Sequence, residues 1–199
     1  MILKPQDVVI LIKLVVWENQ AWSYASLSQE LFMSPSEVHA GIKRAMDAKL
    51  FDQYRKVPLK TALKEFLIYG VKYVYIPERG SLTRGLPTCY AAPPLKDLLT
   101  PTDEMIPVWP DPEGECRGYE FSPLYKSVPK AAKRDRKLYE LLALVDTLRD
   151  ERARDKDLAI REITSRMECG STPSFRPVSR KESLSNTGML MMGPVRASD

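Results

Sequence analysis

The sequence predicts a mainly α-helical chain with a small β element, and three observations carry that prediction. Apolar residues recur at helical spacing through the first fifty residues and again after Ser127. Helix-start signals stand at Pro5 and at Ser34 and Pro35. Between two helical patterns, the stretch Asp52 to Lys56 has the length of a short two-stranded hairpin. With 199 residues, 44% of them apolar and 28% charged, the chain can bury one good core and a small second one. A net charge of +4 suits a nucleic-acid partner without requiring one.

Several chemistries are poorly supported. Cys89, Cys116 and Cys169 are odd in number and show no CxxC spacing, and His39 is the single histidine. A disulfide framework, a zinc site and a His-based triad therefore lack their ligands or partners. The apolar run Val8 to Trp17 follows Asp7 and is interrupted by Lys13, has no small-residue cleavage site after it, and is too short to span a bilayer. The expectation is a cytoplasmic protein with reduced thiols, no cofactor, no metal, no membrane partner and no enzymatic chemistry.

The first helix should open at Pro5, with Asp7 in its first turn. Val8, Leu11, Ile12, Val15 and Val16 form one apolar face and Val9, Ile10, Leu14 and Trp17 a second, so this helix is buried on more than one side. A central core helix is favoured over a dimer interface. In SYASLSQELF, Ser23 is the N-cap and Leu27, Leu31 and Phe32 point inward. MSPSE then supplies Ser34 as N-cap, Pro35 at the first helical position and Glu37 to close a capping box. The next helix should run from Pro35 to about Lys49, with Val38, Ile42, Ala45 and Met46 inward and Ser36, His39, Ala40, Lys43, Arg44 and Asp47 outward.

Two short helices joined by a tight turn after a buried helix make a helix-turn-helix unit. Ser36 and His39 can approach base edges in a major groove, Ala40 permits close approach, and Lys43 and Arg44 can reach phosphates. The alternative is a helical hairpin with a solvated face. LFDQYRKVPL favours DNA, because a two-stranded wing here would carry Arg55 and Lys56 beside a bound backbone. KTALKEFLIYGVKYVYIP reads as a helix followed by a strand over Tyr73 to Ile76. Helix, helix, turn, helix, hairpin, helix is the order of a winged helix.

The segment WSYASLSQELFMSPSEVHAGIKRAMDAKLF resembles the winged helix-turn-helix domains of bacterial transcription regulators, most nearly the MarR-like ones, over roughly Met1 to Ile76. That resemblance implies sequence-specific duplex binding, usually as a homodimer and usually in repression. On its pattern Ser34, Ser36, Glu37, His39, Ala40 and Lys43 fall on recognition-helix sites. The chain departs from it at Ala48 and Lys49, where such sequences often carry Gly before the terminal Leu. The remainder is similar to architectures in which a wing domain carries a C-terminal helical extension, some paired with a partner as in toxin and antitoxin operons.

From Gly80 to Gly118 seven prolines argue against long regular elements, while Leu86, Tyr90, Leu95 and Trp109 are too apolar for a free linker. An extended arm lying against a folded surface is expected. Arg84, between Thr83 and Gly85, is read as solvated rather than as a phosphate contact, and the acidic stretch Asp111 to Glu115 as a surface turn rather than a metal or acid-base site. A helix start near Ser127 to Pro129 leads to Leu138, Leu141, Leu142, Val145 and Leu148 on one face. The next helix balances Arg152, Arg154 and Arg161 with acids, which favours helix association over nucleic acid. Residues 169–199 should be disordered.

The fold expected is therefore mainly α with a small β wing: a winged helix-turn-helix domain over 1–77, a Pro-rich extended arm over 78–126, a helical region for dimerisation or partner binding over 127–168, and a tail. The function expected is a DNA-binding transcriptional regulator reading double-stranded DNA through 35–49 and the wing. Its candidate contacts are Ser34, Ser36, Glu37, His39, Ala40, Lys43, Arg44, Arg55 and Lys56. The alternative is an antitoxin-like or adaptor protein that binds a protein partner through its arm and C-terminal helices.

Overall fold

The computed structural model describes residues 2–18, 20–100, 105–150 and 155–168. The tail expected over 169–199 lies outside these residues, as do Arg152 and Arg154. The described chain is mainly α with few strands.

Helix α1 spans Pro5–Trp17, with Pro5 in its first turn and the Asp7 carboxylate accepting the Lys4 backbone N–H at 2.8 Å. Almost every side chain from Asp7 to Val15 is buried, so α1 is a central core helix within the chain. Its buried Lys13 is neutralised by Glu30 Oε2 at 2.9 Å and Asp135 Oδ2 at 2.8 Å. Helix α2, Tyr24–Leu31, starts at the Ser23 cap and stops at Phe32, whose left-handed φ of 52° turns the chain. Three residues later α3 begins, spanning Pro35–Asp47 with the expected Ser34 and Glu37 capping box. Strands β1, Phe51–Asp52, and β2, Val57–Pro58, then form an antiparallel hairpin with Phe51 opposite Pro58.

The strand expected over Tyr73 to Ile76 is helical instead at its start. Helix α4, Lys60–Glu65, passes through a π turn at Phe66–Gly70 into α5, Val71–Val74. The β-branched and aromatic run finds no partner strand here. Its Tyr75 hydroxyl donates to the Leu3 carbonyl at 2.8 Å, which ties the end of this helix to the start of α1.

The Pro-rich segment also departs from expectation, because it holds the larger sheet. Strand β3, Arg79–Pro87, pairs antiparallel with both β4, Pro107–Pro110, and β5, Cys116–Phe121, while β4 and β5 pair in parallel. Each strand thus pairs with the other two and the three close into a small barrel. Prolines are tolerated because they stand at strand ends: Pro87 ends β3, and Pro107 and Pro110 bound β4. Close approach is permitted by glycine, since a Cβ on Gly85 would lie 2.0 Å from the Trp109 carbonyl oxygen and one on Gly118 2.0 Å from that of Ile106.

A short helix α6, Leu95–Leu98, precedes β4. After the sheet come α7, Val128–Arg134, α8, Arg136–Arg149, and α9, Lys156–Glu168. Asp135 caps α8 by accepting the Leu138 N–H at 3.1 Å. The inner face of α8 meets α1, α5, α7 and α9, and buried Asp146 accepts hydrogen bonds from Trp109 Nε1 at 2.6 Å and Thr88 Oγ1 at 3.0 Å. Burial raises the Asp146 carboxyl above its ordinary value, against the pull of Arg149 at 2.6 Å. The three segments expected to divide near 77 and 126 share one contiguous apolar core running from Val8 to Met167.

Candidate nucleic-acid interface

The amphipathic pattern of α3 decides which of its side chains are available. Val38, Gly41, Ile42, Arg44 and Ala45 are buried, which leaves Ser36, His39 and Lys43 exposed along the opposite side and Ala40 half-buried beside them. The spacing of 36, 39 and 43 places the three on one helical stripe. Ser34 Oγ accepts the Glu37 N–H at 3.2 Å and donates to Glu37 Oε2 at 2.8 Å. These two residues hold the helix start and are occupied in doing so.

Glu37 has a further partner that the sequence did not reveal. Its Oε1 accepts the hydroxyl of Tyr125, from the loop between β5 and α7, at 2.5 Å. That hydrogen bond, with those from Ser34, holds the Glu37 carboxyl down at about 2. The same contact raises the Tyr125 hydroxyl. Glu37 therefore stays ionised and is turned toward its own chain.

Arg44 must be corrected outright: it is buried, not on the outward face. Its Nε donates to Asp7 Oδ2 at 2.7 Å and its Nη2 to Asp7 Oδ1 at 2.6 Å, a bidentate pair with a carboxylate that is fully buried. Close helix approach makes this possible, because a Cβ at Gly41 would lie 2.6 Å from Ile10 Cδ1 and 3.0 Å from Asp7 Oδ1. Asp7 at the start of a largely apolar helix, with Gly41 one turn before Arg44, was the available signal.

The β1–β2 turn carries the other two expected contacts, and Arg55 and Lys56 are both exposed. Asp52 Oδ1 accepts the N–H groups of Tyr54 at 2.9 Å and Arg55 at 3.0 Å, an Asx turn that fixes the loop. An aromatic relay then connects this turn to α3. Trp22 Nε1 donates to the Lys56 carbonyl at 2.9 Å. The Trp22 ring stands edge-on to Phe51 at 6.1 Å and to Tyr24 at 5.5 Å, and Tyr24 in turn meets the His39 ring at 5.2 Å. Trp22 and Tyr24 are absent from the expected contacts, although their place beside the Ser23 cap was visible in the sequence.

Other expected features fall elsewhere. Arg84 is exposed on β3, opposite Arg117 on β5. In the acidic stretch, Asp111 is buried and pairs with Lys133 at 2.6 Å, so it is a structural contact rather than a solvated turn. No group of three possible metal ligands occurs among the described residues. Arg161 is exposed on α9, whose apolar stripe packs on α8 in the same chain. Among the described residues no helix is long and apolar enough to cross a membrane. No family model, curated protein or solved structure matches the chain.

Proposed function

We propose that α1, α2, α3 and the β1–β2 hairpin act as a winged helix-turn-helix that binds double-stranded DNA, as a transcriptional regulator of its own or a neighbouring promoter. One observation carries the reading: α3 leaves Ser36, His39 and Lys43 exposed on one side, and the relay of Trp22 and Tyr24 ties the turn bearing Arg55 and Lys56 to that same helix. In this reading Ser36 and His39 meet base edges, Ala40 allows close approach, and Lys43, Arg55 and Lys56 meet phosphates. Ser34 and Glu37 shape the helix start, and Arg44 takes no part in DNA contact. Further support comes from the resemblance of the helix-turn-helix segment to MarR-like regulators.

A homodimer on this reading uses neither α1 nor the inner face of α8, whose apolar side chains are covered within one chain. The protein-binding alternative finds less to build on, since the arm and the C-terminal helices are spent in forming the sheet and the shared core.

The test is binding of the full chain to its upstream duplex and to a scrambled duplex at two salt concentrations. The expected result is a preference for the upstream duplex at both, with affinity falling steeply as salt rises. His39→Ala should reduce that preference and Lys43→Ala should weaken both duplexes. Equal, weak binding that disappears at the higher salt would reject sequence-specific reading.

A further inference from the structure

We infer that the basic segment Tyr125 to Arg134, far from α3 in sequence, extends the DNA-binding surface past the start of α3 by contacting the phosphate backbone through Lys126 and Lys130. This inference rests on the DNA reading above and adds to it a second anchoring strip.

Four observations place the strip. The hydrogen bond of Tyr125 to Glu37 sets Lys126 beside the first turn of α3, and Lys126 is near enough for its charge to act on the Glu37 carboxylate. Ser127 Oγ donates to the Leu31 carbonyl at 2.6 Å, which fixes the entry to α7 against the end of α2. Val128, Pro129, Ala131 and Ala132 are buried, so Lys130 is turned outward, and both lysines are exposed. Neither forms an ion pair with another described residue, whereas Lys133 is held by Asp111 and Arg134 lies near Glu30 and over the Phe32 ring.

The acids that could cancel these two charges are already occupied. Glu37 is bonded to Ser34 and Tyr125, Glu30 to Lys13, Asp135 to Lys13 and the start of α8, and Asp111, the acid that the Lys130 charge acts on, to Lys133 at 2.6 Å. Lys126, whose ammonium lies over the Tyr125 ring at 5.8 Å, therefore stands without an ion pair beside the start of α3, and Lys130 stands without one farther along, on α7, which packs on α2. Cations so placed serve as register-setting contacts to phosphates and carry no base readout. Duplex DNA is the polyanion that fits, because the strip begins at Lys126 beside the first turn of α3 and continues along α7, rather than lying on a face remote from that helix.

The experiment compares the full wild-type chain with Lys126→Gln/Lys130→Gln on the upstream and scrambled duplexes over a salt series. Neutralising two phosphate contacts should lower the slope of log affinity against log salt by about 1.8, at roughly 0.9 per contact. Affinity at moderate salt should fall by on the order of tenfold for both duplexes, leaving their ratio unchanged. Circular dichroism should give the wild-type spectrum and melting temperature, since both side chains are exposed. Wild-type affinity and slope in this variant, while the wild type itself prefers its upstream duplex, would overturn the strip and leave the DNA reading standing. Failure of the wild type to bind either duplex would overturn both.

Discussion

At the level of single residues, the molecule separates side chains that hold the fold from side chains that face outward, and composition alone does not distinguish them. Arg44 and Lys43 are adjacent cations on one helix, yet only Lys43 is exposed. Because Asp7 is fully buried, removing its partner strands a charge in the core. Arg44→Ala should therefore lower stability by about 3–5 kcal/mol, read from urea midpoints, while Lys43→Ala stays within about 0.5 kcal/mol. Glu37 gives a pH test of the same kind. Its folded value of about 2 lies below the ordinary 4.5, so its contribution is complete above pH 4.5 and is lost as pH falls toward 2. The melting-temperature gap between wild type and Tyr125→Phe should be open at pH 6 and closed near pH 2. A gap that is unchanged across that range would mean that the Tyr125 contact does not act through the carboxylate. The capping role of Glu37 was legible because Ser34 is three residues away, whereas its Tyr125 partner lies 88 residues off and left no signal, and the Asp7 partner of Arg44, 37 residues off, left only the hint of Asp7 and Gly41.

At the level of elements, what the sequence reveals depends on how local the cause is. The starts of α1, α2 and α3 are written in capping residues a few positions apart, and all three appear where those residues predict. The β3–β4–β5 barrel is not legible in this way, because its pairings join Gly85 to Pro110 and Cys116, and prolines at strand ends look like prolines in loops. The Tyr73–Ile76 run misled in the opposite direction, since β propensity without a partner strand loses to a helix already under way. Two substitutions test these accounts. Gly85→Ala would drive a methyl into the Trp109 carbonyl and should destabilise by on the order of 1–3 kcal/mol in urea unfolding, against almost nothing for a surface alanine. After the end of α3, Lys49 adopts a left-handed φ of 59°, a conformation that glycine reaches without the steric cost a side chain brings. Lys49→Gly should accordingly raise stability by about 0.5–1 kcal/mol, and a loss would show that the lysine side chain contributes more than its backbone costs.

At the level of the whole molecule, the α1–α3 unit and the second half share one apolar core. Helix α1 is covered by α8 as well as α3, and α9 packs on α4. The buried Lys13 ammonium needs Asp135, and the last turn of α2 is held by Ser127 and Arg134 through the Leu31 and Gln29 carbonyls. A fragment ending at Pro77 would expose the α8-facing side of α1 and leave Lys13 with one carboxylate in place of two. Such a fragment should show no cooperative thermal transition and should bind a hydrophobic dye, whereas the full chain unfolds in one step. A sharp two-state transition in the fragment, with a native-like spectrum, would sink this account. The coupling matters for the DNA reading, because the side chains that fix the start of α3 include Tyr125 from the far half. Any ligand or partner that shifts the loop between β5 and α7 would act on the Glu37 cap and on Lys126 together. Loss of DNA affinity on truncation would then report lost folding, so point variants are the sound way to separate binding from stability.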